Sequence, residues 1–106
     1  MQAQNPVYRV ASLWIRPGSI AAFEAYERKA ARIMRKYGGS IEKAVRIGEE
    51  GGSEHPFEIH VVSFPDQDRF AAYRADPEVA ALAPEREAVI LKTIVVSGIG
   101  GPSYAA

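Results

Sequence analysis

Four stretches of the chain carry the two-residue alternation or the β-branched and aromatic bias of strands, and the segments after the first and third carry helical spacing. Residues 7–15, VYRVASLWI, place Tyr8, Val10, Ser12 and Trp14 on one face and Val7, Arg9, Ala11, Leu13 and Ile15 on the other. Both faces are largely apolar, which predicts a strand covered on both sides. After Arg16-Pro17-Gly18, Ser19 is placed to cap a helix whose apolar positions Ile20, Phe23, Tyr26, Ala30, Ile33, Met34 and Tyr37 recur every three or four residues. Gly38-Gly39 supplies a left-handed stop, with Arg35 and Lys36 set favourably against the helix dipole.

Residues 40–47 alternate as a second strand, and the glycine-rich GEEGGSEH at 48–55 predicts a flexible hairpin loop, a connector or a lid, before a third strand over 56–64. Asp66 or Asp68 starts a second helix with Phe70 and Tyr73 on its inner face. Asp76-Pro77 ends it and opens a short helical turn anchored by Val79, Ala80 and Leu82. Pro84 is expected to break that turn, and Glu85 to Glu87 to lead into a fourth strand over 89–96. The order βαββαβ is that of the ferredoxin-like α+β fold, a four-stranded antiparallel sheet with both helical segments on one face. At 106 residues the chain is expected to form a single domain, 1–106, with its core at about 7–98 and a tail, 99–106, that is mobile or crosses to a partner. The helices cover one sheet face only, so the second apolar face predicts a homodimer with paired sheets and a ligand cavity between them.

Several features resemble the dimeric α/β-barrel superfamily over Tyr8 to Gly98. Phe64-Pro65, the helix with Phe70 and Tyr73, and Asp76-Pro77-Glu78 followed by Leu82, Pro84 and Arg86 are similar to a bacterial family of unknown function within it. A second resemblance, to NIPSNAP-like proteins, rests on Arg16-Pro17-Gly18 with Phe23 and on Asp68-Arg69-Phe70 with Asp76-Pro77-Glu78. Those proteins often carry tryptophan where this chain has Val79. Relatives in the wider superfamily include cofactor-independent monooxygenases, isomerases, chlorite dismutases and haem-degrading enzymes, so the resemblance implies a fold without choosing a reaction.

Charge narrows the partners. Thirteen Lys and Arg balance thirteen Asp and Glu, and neither sign is segregated, which argues against nucleic acid. The densest cationic run, Arg28 to Lys36, has Glu24 and Glu27 beside it and reads as a solvated helix face. No run is long and apolar enough for a membrane span, and MQAQNPVYRV lacks the regions of a signal peptide, so a cytoplasmic location is expected. Zero net charge with 47% hydrophobic residues fits a chain that hides one face in a dimer. Cysteine is absent, and neither His55 nor His60 has the spacing of a zinc or haem ligand, so no metal and no cofactor are expected.

The candidate chemistry is therefore sparse. His60 interrupts the apolar third strand and shares a face with Glu58, a pairing suited to acid-base work at neutral pH. The same pair also reads as a satisfied structural histidine with Glu58 exposed at the strand start. Trp14 with Tyr8, Val10 and Ser12 would hold an apolar or aromatic ligand if that face of the first strand looked into the barrel, and would be packing otherwise, while Arg9 or Ser12 would serve as orienting groups. Tyr26, Tyr37, Phe70 and Tyr73 read as core, while Arg69 and Arg86 either steer an anionic substrate or pair with neighbouring carboxylates. The chain is thus expected to be a dimeric binder of a small, partly apolar organic molecule, with cofactor-independent acid-base chemistry at His60 and Glu58. The alternative is a non-catalytic dimeric module. A closed, water-filled cavity holding His60 within hydrogen-bond reach of Glu58 or Ser12 favours the first; His60 under the helices or on the surface removes the catalytic reading.

Overall fold

The computed structural model of the chain describes residues 5–52 and 54–105. Its elements run β1 (Val7–Ile15), α1 (Ile20–Lys36), β2 (Ser40–Arg46), β3 (Glu58–Phe64), α2 (Gln67–Ala75), α3 (Pro77–Ala81), α4 (Ala83–Val89) and β4 (Ile90–Ile99). The strands form one antiparallel sheet in the order β2-β3-β1-β4, and the helices pack on one face, giving the expected ferredoxin-like α+β architecture.

Register fixes the faces. Ala11 lies opposite His60 on β3 and Val95 on β4, and Leu13 lies opposite Glu58 and Thr93, so these side chains share the helix-covered face. Leu13 and Ile15 join Phe23, Phe57, Val89 and Ile90 in one buried cluster, while Val62 and Phe64 join Ala30 and Met34 in a second. Val10, Ser12 and Trp14 belong to the opposite face with Ile59, Val61, Ile94 and Val96.

Some boundaries depart from the sequence pattern for identifiable reasons. The last helical region is longer than expected: Pro84 starts α4 rather than ending helical structure, because a proline costs nothing in a first turn whose N–H groups lack intrahelical partners, and Glu85 to Glu87 are helical. The fourth strand consequently begins at Ile90, and pairing with β1 carries it on to Ile99, into the segment expected to be tail. Ser19 precedes α1, but its side chain makes no cap. Glu50 supplies the acceptor instead: its Oε2 takes hydrogen bonds from the backbone N–H groups of Gly18 at 2.7 Å and Ser19 at 3.2 Å. The glycine-rich connector is thus tied to the start of α1, and the Gly51 N–H also donates to the Ile15 carbonyl. Ser53 within it lies outside the described residues.

At the other end of α1, Gly38 adopts φ +75°, and Gly39 lets the backbone pass against Phe64, where an added Cβ would lie 2.3 Å from Cε1. Asp76 joins this end of the molecule to the short helices. Its carboxylate accepts from the Tyr37 hydroxyl at 2.6 Å and the Glu78 N–H at 2.7 Å, and pairs with Lys36 at 3.0 Å. The Tyr37 hydroxyl first, then the backbone N–H and the ammonium, hold the Asp76 pKa down at about 2.

Two expectations follow. Gly39→Ala must displace a buried ring and should destabilise the fold by about 1–3 kcal/mol in denaturant titration. Because the Asp76 pKa is depressed in the folded state, its contribution is complete above the ordinary value of 3.8 and is lost as pH falls towards about 2. Asp76→Asn, which keeps an acceptor for the Glu78 N–H, should melt below wild type at pH 7, and the gap should close near pH 2.

Candidate functional site

The sheet and helices border a cavity of about 570 Å³ that opens to solvent on one side. Its floor is the helix-facing side of β1, β3 and β4, including Arg9, Ala11, His60 and Thr93, and its roof comes from α1 and the three short helices, including Glu27, Phe70, Tyr73 and Arg86. This cavity lies within the single chain, in its helix layer, a different place from the cavity between paired sheets expected from the strand pattern. The reason lies in the roof. Helices of nine, five and seven residues, divided at Asp76-Pro77 and before Pro84, present too few large inward side chains to fill the space above β1 and β4.

His60 lies under α1, the position expected from the sequence to count against catalysis; that expectation took the helix layer to be solid, whereas a cavity lies there and His60 lines it. Only 4% of it is exposed. Its Nε2 is 2.5 Å from Glu58 Oε2, so the pairing read from the strand is present. Glu58 is itself buried, not exposed at the strand start, and its Oε1 accepts from Arg46 Nε at 2.9 Å and Nη2 at 2.7 Å. The Arg46 guanidinium also stacks 4.6 Å above Phe57 and reaches Glu24 at 3.1 Å. A carboxylate held by an arginine on one oxygen accepts the Nε2–H of His60 on the other, which leaves Nδ1 as the acceptor nitrogen of the neutral ring.

Nδ1 faces Glu27 of α1, whose Oε2 lies 4.0 Å away. The sequence reading assigned Glu27 to a solvated face, yet it lines the cavity. A signal was present: Glu27 sits four residues after Phe23 and three before Ala30, on the buried stripe of α1. Burial first, and the nearby Glu58 charge, push the Glu27 pKa above the ordinary 4.5 despite opposing effects of His60 and Arg86. Glu27 and His60 also line a second, more open groove of about 280 Å³ on the β2 side, bounded by Arg28, Ala44 and Arg46. The pair forms a partition between interior cavity and outer groove.

The remaining candidates divide by face. Arg9 lines the cavity, its guanidinium 3.8 Å above the Phe70 ring and its Nη1 donating to the Tyr8 carbonyl at 3.2 Å. Ser12 and Trp14 lie on the opposite sheet face, where Lys92 sits 4.7 Å over the Trp14 ring, and are not brought together with His60. Arg86 donates to Thr93 Oγ1 at 2.7 Å rather than pairing with Glu85, which is bound by Lys29. Tyr26 and Tyr73, read as core, border the cavity; burial raises the pKa of both hydroxyls, that of Tyr73 to about 12. Among the described residues no cluster of three or more ligating side chains could hold a metal ion, and no helix is long and apolar enough to cross a membrane.

A ferredoxin-like sheet with a cavity beneath its helices defines the class of α/β proteins to which this chain belongs. Within it, residues 6–99 match the family described as a domain of unknown function, DUF1330, and the chain is a member of that family. The fold is shared with a protein of unknown function from Rhodopseudomonas palustris at 17% identity, covering 94% of this chain and 85% of that one with a TM-score of 0.79. SnoaB, a cofactor-independent oxygenase from Streptomyces nogalater, is similar at 16% identity over 96% and 99% of the two chains, TM-score 0.73. An uncharacterized NIPSNAP-like domain protein from Burkholderia xenovorans is similar at 15% identity over 97% and 90%, TM-score 0.67. No curated protein matches the chain.

The raised pKa of Glu27 has a thermodynamic consequence. Folding disfavours its ionised form, so the cost is absent below the unfolded value of 4.5 and grows as pH rises through the higher folded value. Glu27→Gln should therefore raise the melting temperature at pH 8 while leaving it nearly unchanged at pH 4, as measured by calorimetry across that range.

Proposed function

We propose that the chain is a cytoplasmic homodimer that binds a small, partly apolar organic molecule in the cavity of each subunit and acts on it by cofactor-independent proton transfer. The observation that carries this reading is the Glu27–His60 partition, a buried carboxylate and an imidazole facing one another at the wall of a cavity of ligand size. Glu27 is the base that removes a proton from an acidic C–H or phenolic O–H of the ligand. A burial-raised pKa suits that task near neutral pH. The proton passes to His60 Nδ1, which faces Glu27 Oε2 at 4.0 Å, and the outer groove offers its exit to solvent. Glu58, fixed by Arg46, orients the imidazole and stabilises its protonated form. That SnoaB, which shares the fold, is a cofactor-independent oxygenase supports chemistry carried by side chains alone.

The dimer rests on the outer sheet face. Ile94 and Val96 are about half exposed there, beside the partly buried Val10, Ile59 and Val61, an apolar surface that an antiparallel sheet ordinarily covers. Packed against a second copy, this face gives a back-to-back dimer whose two cavities remain independent.

The two parts are separately testable through adjacent residues of β4. Val95 faces the cavity and Val96 the outer face. In light scattering, wild type should have twice the 11.6 kDa chain mass and Val96→Glu should shift towards one chain; a monomeric wild type would refute the dimer. A melting-temperature screen of aromatic and short-chain organic acids, ketones and phenols should find stabilising ligands for wild type, and their effect should disappear in Val95→Phe. Ligands that stabilise both equally would place binding outside the cavity.

A further inference from the structure

We infer that the cavity selects molecules with an apolar, planar body and one anionic group, a carboxylate or phenolate, and that Arg9 and Arg74 hold that group. This deepens, and rests on, the reading of the cavity as a ligand site. Three guanidinium groups line it, from Arg9, Arg74 and Arg86, against the single carboxylate of Glu27. Among the described residues none of the three cavity arginines is ion-paired.

The three are not equivalent. Arg86 is committed to Thr93 and is electrostatically coupled to Tyr26 and Glu27, which places it at the reactive end. Arg9 and Arg74 converge on Phe70, with guanidinium carbons 3.8 Å and 5.9 Å from its ring centroid. A guanidinium stacked on an aromatic face keeps its N–H donors in its own plane, ready for a planar two-oxygen acceptor. Both positive charges lie near one ring, and neither has a carboxylate partner among the described residues.

Spacing sets the rest of the ligand. Arg9 is two residues along β1 from Ala11, the partner of His60, a separation of about 7 Å along the strand. An anionic group at Arg9 therefore lays one ring across Ala11 and Val62 and brings its far edge towards Glu27. The preferred ligand is an aromatic acid with its acidic C–H or O–H remote from the anionic group.

Matched ligands test this by isothermal titration calorimetry at pH 7.5: benzoate and 2-naphthoate against benzamide and 2-naphthamide. Wild type should bind each acid at least tenfold more tightly than its amide. Arg9→Gln and Arg74→Gln should each weaken the acids by roughly 10-fold to 100-fold, the range of a charged hydrogen bond, and leave the amides unchanged. Should Arg9→Gln fail to fold, the exposed Arg74 and the wild-type ratio still decide. Equal binding of acid and amide by wild type would overturn the anionic class while leaving the cavity as a ligand site. Binding of neither series would remove the ligand site itself and the inference with it. An acid preference that survives both substitutions would refute the assigned residues.

Discussion

The pairing of β1 with β3 decides what this molecule can do, because side chains on a strand change faces at every residue. With Ala11 opposite His60 and Leu13 opposite Glu58, the imidazole and its carboxylate turn towards the helices, and Ser12 and Trp14 turn away. A slip of one residue would send Glu58 and His60 to the bare face and bring Ile59 and Val61 under α1. The two polar side chains would then gain solvent and lose one another's confined geometry. The interior position is held from both sides, since β3 also pairs with β2, which supplies Arg46 opposite Glu58.

That arrangement solves an electrostatic difficulty locally. A buried carboxylate is expensive unless its oxygens are bonded, and both oxygens of Glu58 are, one to Arg46 and one to His60. Among the described residues no buried polar side-chain atom lacks a hydrogen-bond partner. Glu27 is treated differently. It is mostly buried with Glu58 close by, so its ionisation is resisted rather than supported. Two glutamates near one histidine thus sit in different surroundings, one bonded on both oxygens and the other desolvated. Such divergence is how a pair of similar groups acquires different roles.

The order of elements was readable because each has a local cause: alternation in the strands, a three-four stripe in α1, and Asp76-Pro77 between α2 and α3. The Glu58–His60 pair was readable for the same reason, being two residues apart on one strand. What could not be read was placed by distant parts of the chain. Glu50 reaching back to Gly18 and Ser19, Arg46 crossing to Glu58, and Glu27 descending onto His60 are contacts over separations no periodicity encodes. Glu27 was partly accessible, since its position on the buried stripe of α1 was visible, but its acidic type suggested solvent. The face of the sheet that borders the cavity was ambiguous because β1 is apolar on both sides, and only the shortness of the roof helices resolves it.

The roof and the reactive wall come from different parts of the chain. Glu27, Arg46, Glu58 and His60 belong to α1, β2 and β3, whereas the cover over β1 and β4 comes mainly from α2, α3 and α4. Residues 77–84, with prolines in the first turns of two successive short helices, are separate from the backbone that carries the histidine and its two glutamates, while Asp76 ties their start to Lys36 and Tyr37. The molecule is therefore modular in a sense that its small size conceals: under the proposed function, changes in the cover would alter ligand range while the segments that carry His60 and its glutamates stay constant.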